Sequence, residues 1–376
     1  MTTIESAYNN AQGIEQKFKN KAILFVGSES YDAPAITVLE GLHKLGFTVY
    51  TLNKANINSW FCNKVISEPE NFVFDFVLSN LHWGTQWSLY THHRLHRYFR
   101  VLIDGDDNHR ETTWRQKYQR YLKTYRVSPP EEIKQQALMP YRWVEPLEDY
   151  QPDIVFTSQK QSHEHESVYL PFGIHDIYKK QNRNLSTKDR KYTFIHVKGP
   201  GHKREAMAER LDSWMARGIF TKKTFNGYAK GKDIYPSEIA EGIEQDNNVH
   251  SYHRWVMRSE YFSVLNQSNV LIYPGIGVLG MPFWDSKRPW EAYASGCMVL
   301  MEQPLIDVSQ YPLTEINPFA VFQGKKEFYA KSLFLTLNKR FLHKQRLLTV
   351  ERANKYFSSD AIARYFLFHI WQTQNQ

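Results

Sequence analysis

Apolar residues along this chain follow two spacings. Some form short uninterrupted runs, and others recur every three or four positions between polar residues. AILFVG, Ala22 to Gly27, is a run with no polar interruption, which suits a strand buried on both faces better than one with a wet side. It is followed by SESYDAP, a helical spacing over Ile36 to Leu45, the stop Gly46 and the second run FTVYTL, a βαβ opening. Phe72 to Leu78, Arg100 to Ile103 and Asp153 to Phe156 read as further strands, and VYLPFGIHDIY, Val168 to Tyr178, closes this first alternation. The polar stretch KKQNRNLSTKDRK then reads as a linker, because boundaries fall in exposed polar segments.

The alternation restarts at Tyr192 to Val197. KGPGHKRE reads as a turn, Ala206 to Met215 as a helix, Thr224 to Gly227 as a strand end, His253 to Leu265 as a helix and Asn269 to Tyr273 as a strand. From Lys325 onward the spacing is helical to the end, with Phe341, Leu347, Leu348, Phe357, Tyr365, Phe366, Phe368 and Trp371 as packing positions. The first 20 or so residues read as a short helix or a loose tail. Two αβ runs on either side of a linker predict an α/β fold of two doubly wound, Rossmann-like domains facing across a cleft. The expected boundaries are 1–180, 181–350 and a last helix, 351–376, packing back towards the first domain.

Composition narrows the class. The 376 residues are 42% apolar and 15% aromatic, enough for two cores. No run of eighteen apolar residues occurs and the start, MTTIESAYNNAQGIEQ, has no signal-peptide pattern, so the expectation is a cytoplasmic protein without a transmembrane segment. Two isolated cysteines, Cys62 and Cys297, read as buried thiols rather than as a disulfide or zinc framework. The net charge of +8 suits a polyanionic partner: nucleic acid, an anionic membrane face or a phosphorylated small molecule. The single glycine after the first strand lacks the rest of a G-x-G-x-x-G, which argues against bound NAD.

The densest chemistry lies in LIYPGIGVLGMPFWDSKRPWEAYASGCMVLMEQP, Leu271 to Pro304. It reads as a strand, a loop rich in glycine and proline, a helix from about Arg288, a glycine stop at Gly296 and another strand. A helix start fed from the carboxyl end of a parallel strand offers free N–H groups and a dipole to phosphates. Arg288 and Glu291 on its first turn suit a diphosphate and a ribose; the plainer reading is an i,i+3 ion pair. Arg204 and Lys203 in KGPGHKRE, with the backbone of Gly199 and Gly201, form a second anion site, and Gly277 can bring backbone N–H groups to a donor.

In the first half, VLIDGDDN puts Asp104, Asp106 and Asp107 just past a strand. Such acids can take a proton from an attacking hydroxyl, hold a divalent metal as D-x-D, or cap a helix. Glu29 and Asp32 are secondary candidates, and the spacing of His82, His92 and His93 matches no metal motif. The segment 92–126 is basic and aromatic: from Arg94 to Arg126 nine Lys or Arg face four acids, and Trp114, Tyr118, Tyr121 and Tyr125 fall on one helical stripe. The stripe packs on the sheet behind a solvated basic face, or the segment receives an acceptor such as DNA.

LPFGIHDIY, FIHVKGPGHKRE and SKRPWEAYASGCMVLME together resemble the landmarks of GT-B-fold, nucleotide-sugar-dependent glycosyltransferases. The likeness is nearest to the CgeB-like bacterial glycosyltransferases and, more distantly, to phage DNA β-glucosyltransferase. The resemblance implies a nucleotide-sugar donor, UDP-sugar first, with no tightly bound cofactor and no required divalent metal. It implies that Glu291 accepts hydrogen bonds from the ribose hydroxyls, that Arg288 and Arg204 meet the diphosphate, and that Asp106, with Asp104 next, is the base of an inverting transfer. Phe283 stands where many retaining members have a second glutamate. The implied acceptor is a glycan, protein or small molecule; the alternative is a hydroxymethylated base in DNA. A sugar-nucleotide epimerase and a noncatalytic binding protein remain further readings.

Overall fold

A computed structural model describes residues 2–26, 33–52, 64–81, 95–104, 130, 151–158, 167–176, 190–198, 224–228, 259–273, 287–303 and 308–376. Two parallel sheets organise them. The first contains β1 (Ala22–Val26), β2 (Thr48–Thr51), β3 (Lys64–Val65), β4 (Phe76–Leu81), β5 (Arg100–Asp104), β6 (Ile154–Thr157) and β7 (Val168–Tyr169), in the order β3-β2-β1-β4-β5-β6-β7. The second contains β8 (Tyr192–Lys198), β9 (Thr224–Tyr228), β10 (Ser268–Tyr273), β11 (Met298–Glu302) and β12 (Val321–Phe322), in the order β12-β11-β10-β8-β9. Strand order reverses between β1 and β4 and again between β8 and β10. In open α/β sheets these reversals are where a crevice opens beyond the carboxyl ends of the strands.

Uninterrupted apolar strands follow from burial on both faces. Ile23 and Phe25 of β1 enter one core cluster, and Leu24 and Val26 enter another on the opposite side. β10 and β11 divide in the same way: Leu271, Tyr273, Val299 and Met301 face one cluster, and Val270, Ile272, Met298 and Leu300 the other. One continuous cluster takes in Phe25 and Phe156 from the first sheet and Leu271 and Val299 from the second, with Trp290, Tyr311 and Phe357 also in it.

The helices complete this join. They are α1 (Thr3–Asn10), α2 (Ala33–Lys44), α3 (Ser259–Asn266), α4 (Lys287–Ala294), α5 (Gly324–Leu337), α6 (Lys339–Tyr356) and α7 (Ser359–Gln374). The opening segment is a helix, set by a reciprocal capping box between Thr2 and Glu5. Ile4 is fully buried and its N–H donates to Glu315 at 2.9 Å, which ties α1 to the second half of the chain. α7 turns back onto the first sheet, where Phe366 meets Phe76 at 5.9 Å and Phe156 at 4.5 Å between ring centroids. At the crossover the Ile174 N–H donates to the Phe357 carbonyl at 2.7 Å. Buried Glu40 gathers the Lys44 ammonium at 2.7 Å, the Ser359 hydroxyl at 2.6 Å and the Asp176 N–H at 3.1 Å, so a charge that would be costly alone is satisfied.

The C-terminal stretch is helical as expected, in three helices broken at Asn338 and at Phe357–Ser358. Two sequence expectations are corrected. Leu347 and Leu348 do not pack: they are 44% and 41% exposed, because α6 buries the stripe Leu342, Arg346, Thr349, Ala353 and Tyr356 on its other side. The strand expected at Phe72 to Leu78 begins at Phe76, since Phe72 and Phe74 instead pack beside the ring of Tyr50 at 5.2 and 5.5 Å.

α7 also carries a titratable group into this core. His369 sits edge-on to Tyr365 at 4.6 Å and Phe156 at 6.4 Å, and burial lowers its pKa to about 4. The unfolded chain therefore binds a proton that the native state refuses, and stability falls as pH drops from the ordinary histidine value towards 4. This group should cost the protein at most roughly 2–3 kcal/mol between pH 7 and pH 4.5. Urea melts at those two pH values should show a smaller loss for His369→Phe than for wild type; equal losses would contradict the assignment.

Candidate functional site

The helix bearing Arg288 and Glu291 is held from below and behind. α4 lies between β10 and β11, which pair in parallel with Val270 opposite Met298 and Tyr273 opposite Met301. It starts at Lys287, one residue before the expected start, so Arg288 is its second residue and Glu291 its fifth, on one face at i,i+3 spacing. Arg288 is half-buried, whereas Glu291 is only 2% exposed. Between them in sequence, Trp290 is the largest fully buried side chain among the described residues and meets Phe357 at 4.8 Å, at the α6–α7 crossover.

The far end of α4 closes as a Schellman motif. Cys297 N–H donates to the Ala292 carbonyl at 2.8 Å and Gly296 N–H to the Tyr293 carbonyl at 3.0 Å, with Gly296 at φ 74°. Two arginines then take carbonyls that the helix leaves open. Arg190 donates to Ser295 at 3.0 Å and Arg346 to Gly296 at 2.8 Å, an arrangement that also suits the negative end of the helix dipole. Arg190 further holds the carbonyls of Leu265 and Ser268, so it ties the end of α3 and the start of β10 to the same cap. Burial, with Arg190 nearby, lowers the Arg346 pKa to about 10. Burial raises the Cys297 thiol to about 11 despite both arginines, so this cysteine is an inert packing group as expected.

These two arginines were not candidates in the sequence. Arg190 lies in the polar stretch read as linker, and Arg346 in a helix with many other cations. No spacing rule marks either one.

β8 and β10 are neighbours in the second sheet, paired with Leu271 opposite Ile195. Gly199, Gly201, Lys203 and Arg204 follow β8 in sequence and Gly277 follows β10; all five lie outside the described residues. In the first sheet, Asp104 is the last residue of β5, level with Leu81 of β4 and Thr157 of β6. It is therefore at the carboxyl edge by backbone position. Asp106, Asp107, Glu29, Asp32, His82, His92, His93, Phe283 and Cys62 lie outside the described residues, as does most of the basic segment 92–126.

Two cations of that segment are described and both serve the fold. Arg97 donates to the Glu70 carbonyl at 2.5 Å and lies over the Tyr98 ring, and Arg100 lies 3.5 Å from Asp153. Among the described residues no cluster of three or more His, Cys, Asp or Glu could hold a metal ion, and no helix is long and apolar enough to cross a membrane.

Two parallel sheets with helices returning from the C-terminus to the first sheet make a GT-B-like fold. Neither a protein family nor a curated protein matches the sequence. Among solved structures, sucrose-phosphate synthase from Thermosynechococcus elongatus is similar with a TM-score of 0.50 at 13% identity, over 94% of this chain and 98% of that one. T4 phage β-glucosyltransferase in complex with UDP and Mn2+ gives a TM-score of 0.40 at 13% identity, over 92% and 98%. A second T4 phage β-glucosyltransferase structure gives 0.41 at 12% identity over the same shares. At these identities the likeness is one of fold.

Proposed function

We propose that this protein is a glycosyltransferase that moves a sugar from a nucleoside-diphosphate sugar, UDP-sugar first, to an acceptor hydroxyl with inversion at the anomeric carbon. The observation that carries the reading is α4 within a GT-B-like fold: Arg288 and Glu291 one turn apart, on a helix clamped at its other end by Gly296, Arg190 and Arg346. A fixed helix suits the chemistry, because charge grows on the leaving β-phosphate and preorganised donors lower that barrier most. In this reading 1–180 forms the acceptor side, 181–350 the donor side, and 351–376 returns to the first domain.

Arg288 meets the diphosphate with a planar fork, aided by Arg204, Lys203 and the backbone of Gly199, Gly201 and Gly277. Glu291 accepts hydrogen bonds from the ribose hydroxyls. Asp106, or Asp104 beside it, takes the proton of the attacking hydroxyl. Acceptors of the glycan, protein or small-molecule class fit this scheme, and a hydroxymethylated base in DNA is the alternative. DNA as acceptor requires duplex binding that falls steeply with salt.

The test is calorimetric binding and slow hydrolysis with UDP-, GDP-, TDP- and CMP-sugars. Asp106→Asn should bind the preferred donor as wild type does and lose on the order of 100-fold or more in transfer. Unchanged turnover would move the base to Asp104 or elsewhere. Conversion of the donor to another nucleotide sugar without any acceptor would replace the transferase reading by an epimerase.

A further inference from the structure

The α5–α6 hairpin carries a surface that sugar transfer does not use. Residues 325–348 contain seven Lys or Arg and one acid, Glu327, so they supply six of the eight net positive charges of the whole chain. Glu327 is spent locally on Lys331 at 2.6 Å and on the Gln323 N–H at 2.6 Å. Arg346 is buried behind the hairpin. Lys325, Lys326, Lys339, Arg340 and Lys344 stay exposed.

Apolar side chains are exposed in the same place. Leu333 (43%), Phe334 (43%), Leu337 (71%), Leu347 (44%) and Leu348 (41%) are five of the six large hydrophobic residues exposed among the described residues. Leu333, Phe334 and Leu337 share one stripe of α5 by their spacing. That stripe runs to Asn338, and Lys339 and Arg340 follow at once. The Phe334 ring meets Phe341 of α6 at 5.0 Å, so the exposed sides of the two helices adjoin. α6 holds the α4 cap through Arg346 on its opposite, buried side, which leaves this surface clear of α4.

We propose that the hairpin seats the protein on an anionic lipid surface, with Lys339, Arg340 and Lys344 at the headgroup phosphates and Leu333, Phe334 and Leu337 at the acyl boundary. Charge complementarity and side-chain type decide the occupant together. Cations alone would equally suit nucleic acid, but exposed leucines gain nothing from a phosphate backbone and gain burial at a bilayer interface. A purely apolar protein partner would leave five cations without purpose. The mode is interfacial: these helices lie on the membrane and do not span it.

The experiment is co-sedimentation of the full-length protein with vesicles of about 30% phosphatidylglycerol in phosphatidylcholine, and with phosphatidylcholine alone. Binding is expected to the first and not to the second, and it should weaken as salt is raised from about 0.1 M to about 0.5 M. Lys339→Ala with Arg340→Ala should lower partitioning on the order of 30-fold. Leu337→Ser should lower it by about tenfold. Both changes lie at exposed positions, and thermal melts should match wild type; the salt series on the wild-type protein needs no variant at all.

Equal binding to both vesicle types, or none to either, overturns the proposal. So does a dimer in sedimentation that Leu337→Ser dissociates without vesicle binding, which would assign the face to a second copy. Duplex DNA binding lost in the double variant without vesicle binding would assign it to nucleic acid.

Discussion

Arg288→Ala is expected to weaken binding of the preferred nucleotide sugar about 10- to 100-fold, the worth of one to two charge-assisted hydrogen bonds at a partly desolvated site. Half-buried Arg288 is well placed for such a contact on the second residue of α4, where the positive end of the helix dipole adds to its charge. Glu291→Gln should cost a similar factor, because a neutral amide accepts hydrogen bonds from ribose hydroxyls less strongly than a carboxylate. The choice of glutamine matters. Glu291 is 2% exposed, and truncation to alanine would open a cavity and confuse folding with binding. Titration calorimetry on wild type and both variants, with a thermal melt of each, separates the two effects. Wild-type donor affinity in both variants would sink the site.

The second large effect lies far from that chemistry. Gly41→Ala should destabilise the protein by about 3 kcal/mol and lower its melting temperature by several degrees, although alanine is the better helix former by about 1 kcal/mol. A Cβ at Gly41 would stand 2.0 Å from the Ser359 carbonyl oxygen and 2.6 Å from the Ala363 Cβ. The oxygen belongs to backbone, so no rotamer change relieves the overlap; α2 and α7 must part. That movement pulls Ser359 from Glu40 and Phe366 from Phe156, so a polar cluster and an aromatic pair are lost together. Differential scanning calorimetry is the measurement, and an unchanged or raised melting temperature would refute the close approach.

Much of the fold was legible because burial on two faces leaves a direct mark. β1, residues Val270 to Tyr273 of β10 and residues Met298 to Met301 of β11 are uninterrupted apolar runs, and each run divides its side chains between two core clusters. Gly296 was legible for a similarly local reason, since a helix that ends with φ 74° calls for glycine. Short edge strands left no such trace. β3, β7 and β12 are two residues each, formed by pairing with a neighbour rather than by pattern. Leu347 and Leu348 misled for the opposite reason: apolar identity was visible, but the face of α6 that meets the core is occupied by Arg346 and Thr349.

The candidate site divides in the same way. Arg288 and Glu291 stand out in sequence because a proline at a helix start and a glycine at its stop frame them within a short window. The supports of that helix do not. Arg190 lies about a hundred residues upstream and Arg346 about fifty downstream, yet both close on the carbonyls of Ser295 and Gly296. Trp290 rests on Phe357 in the turn between α6 and α7.

The sequence by itself determined the two alternating runs and the strand-helix-strand window around α4, because each is set by residues near one another along the chain. Tertiary structure alone decided that one core cluster joins the two sheets, that Gly41 must be glycine, and which arginines brace α4. Those outcomes depend on which distant backbones approach and which groups are left unsatisfied where they meet.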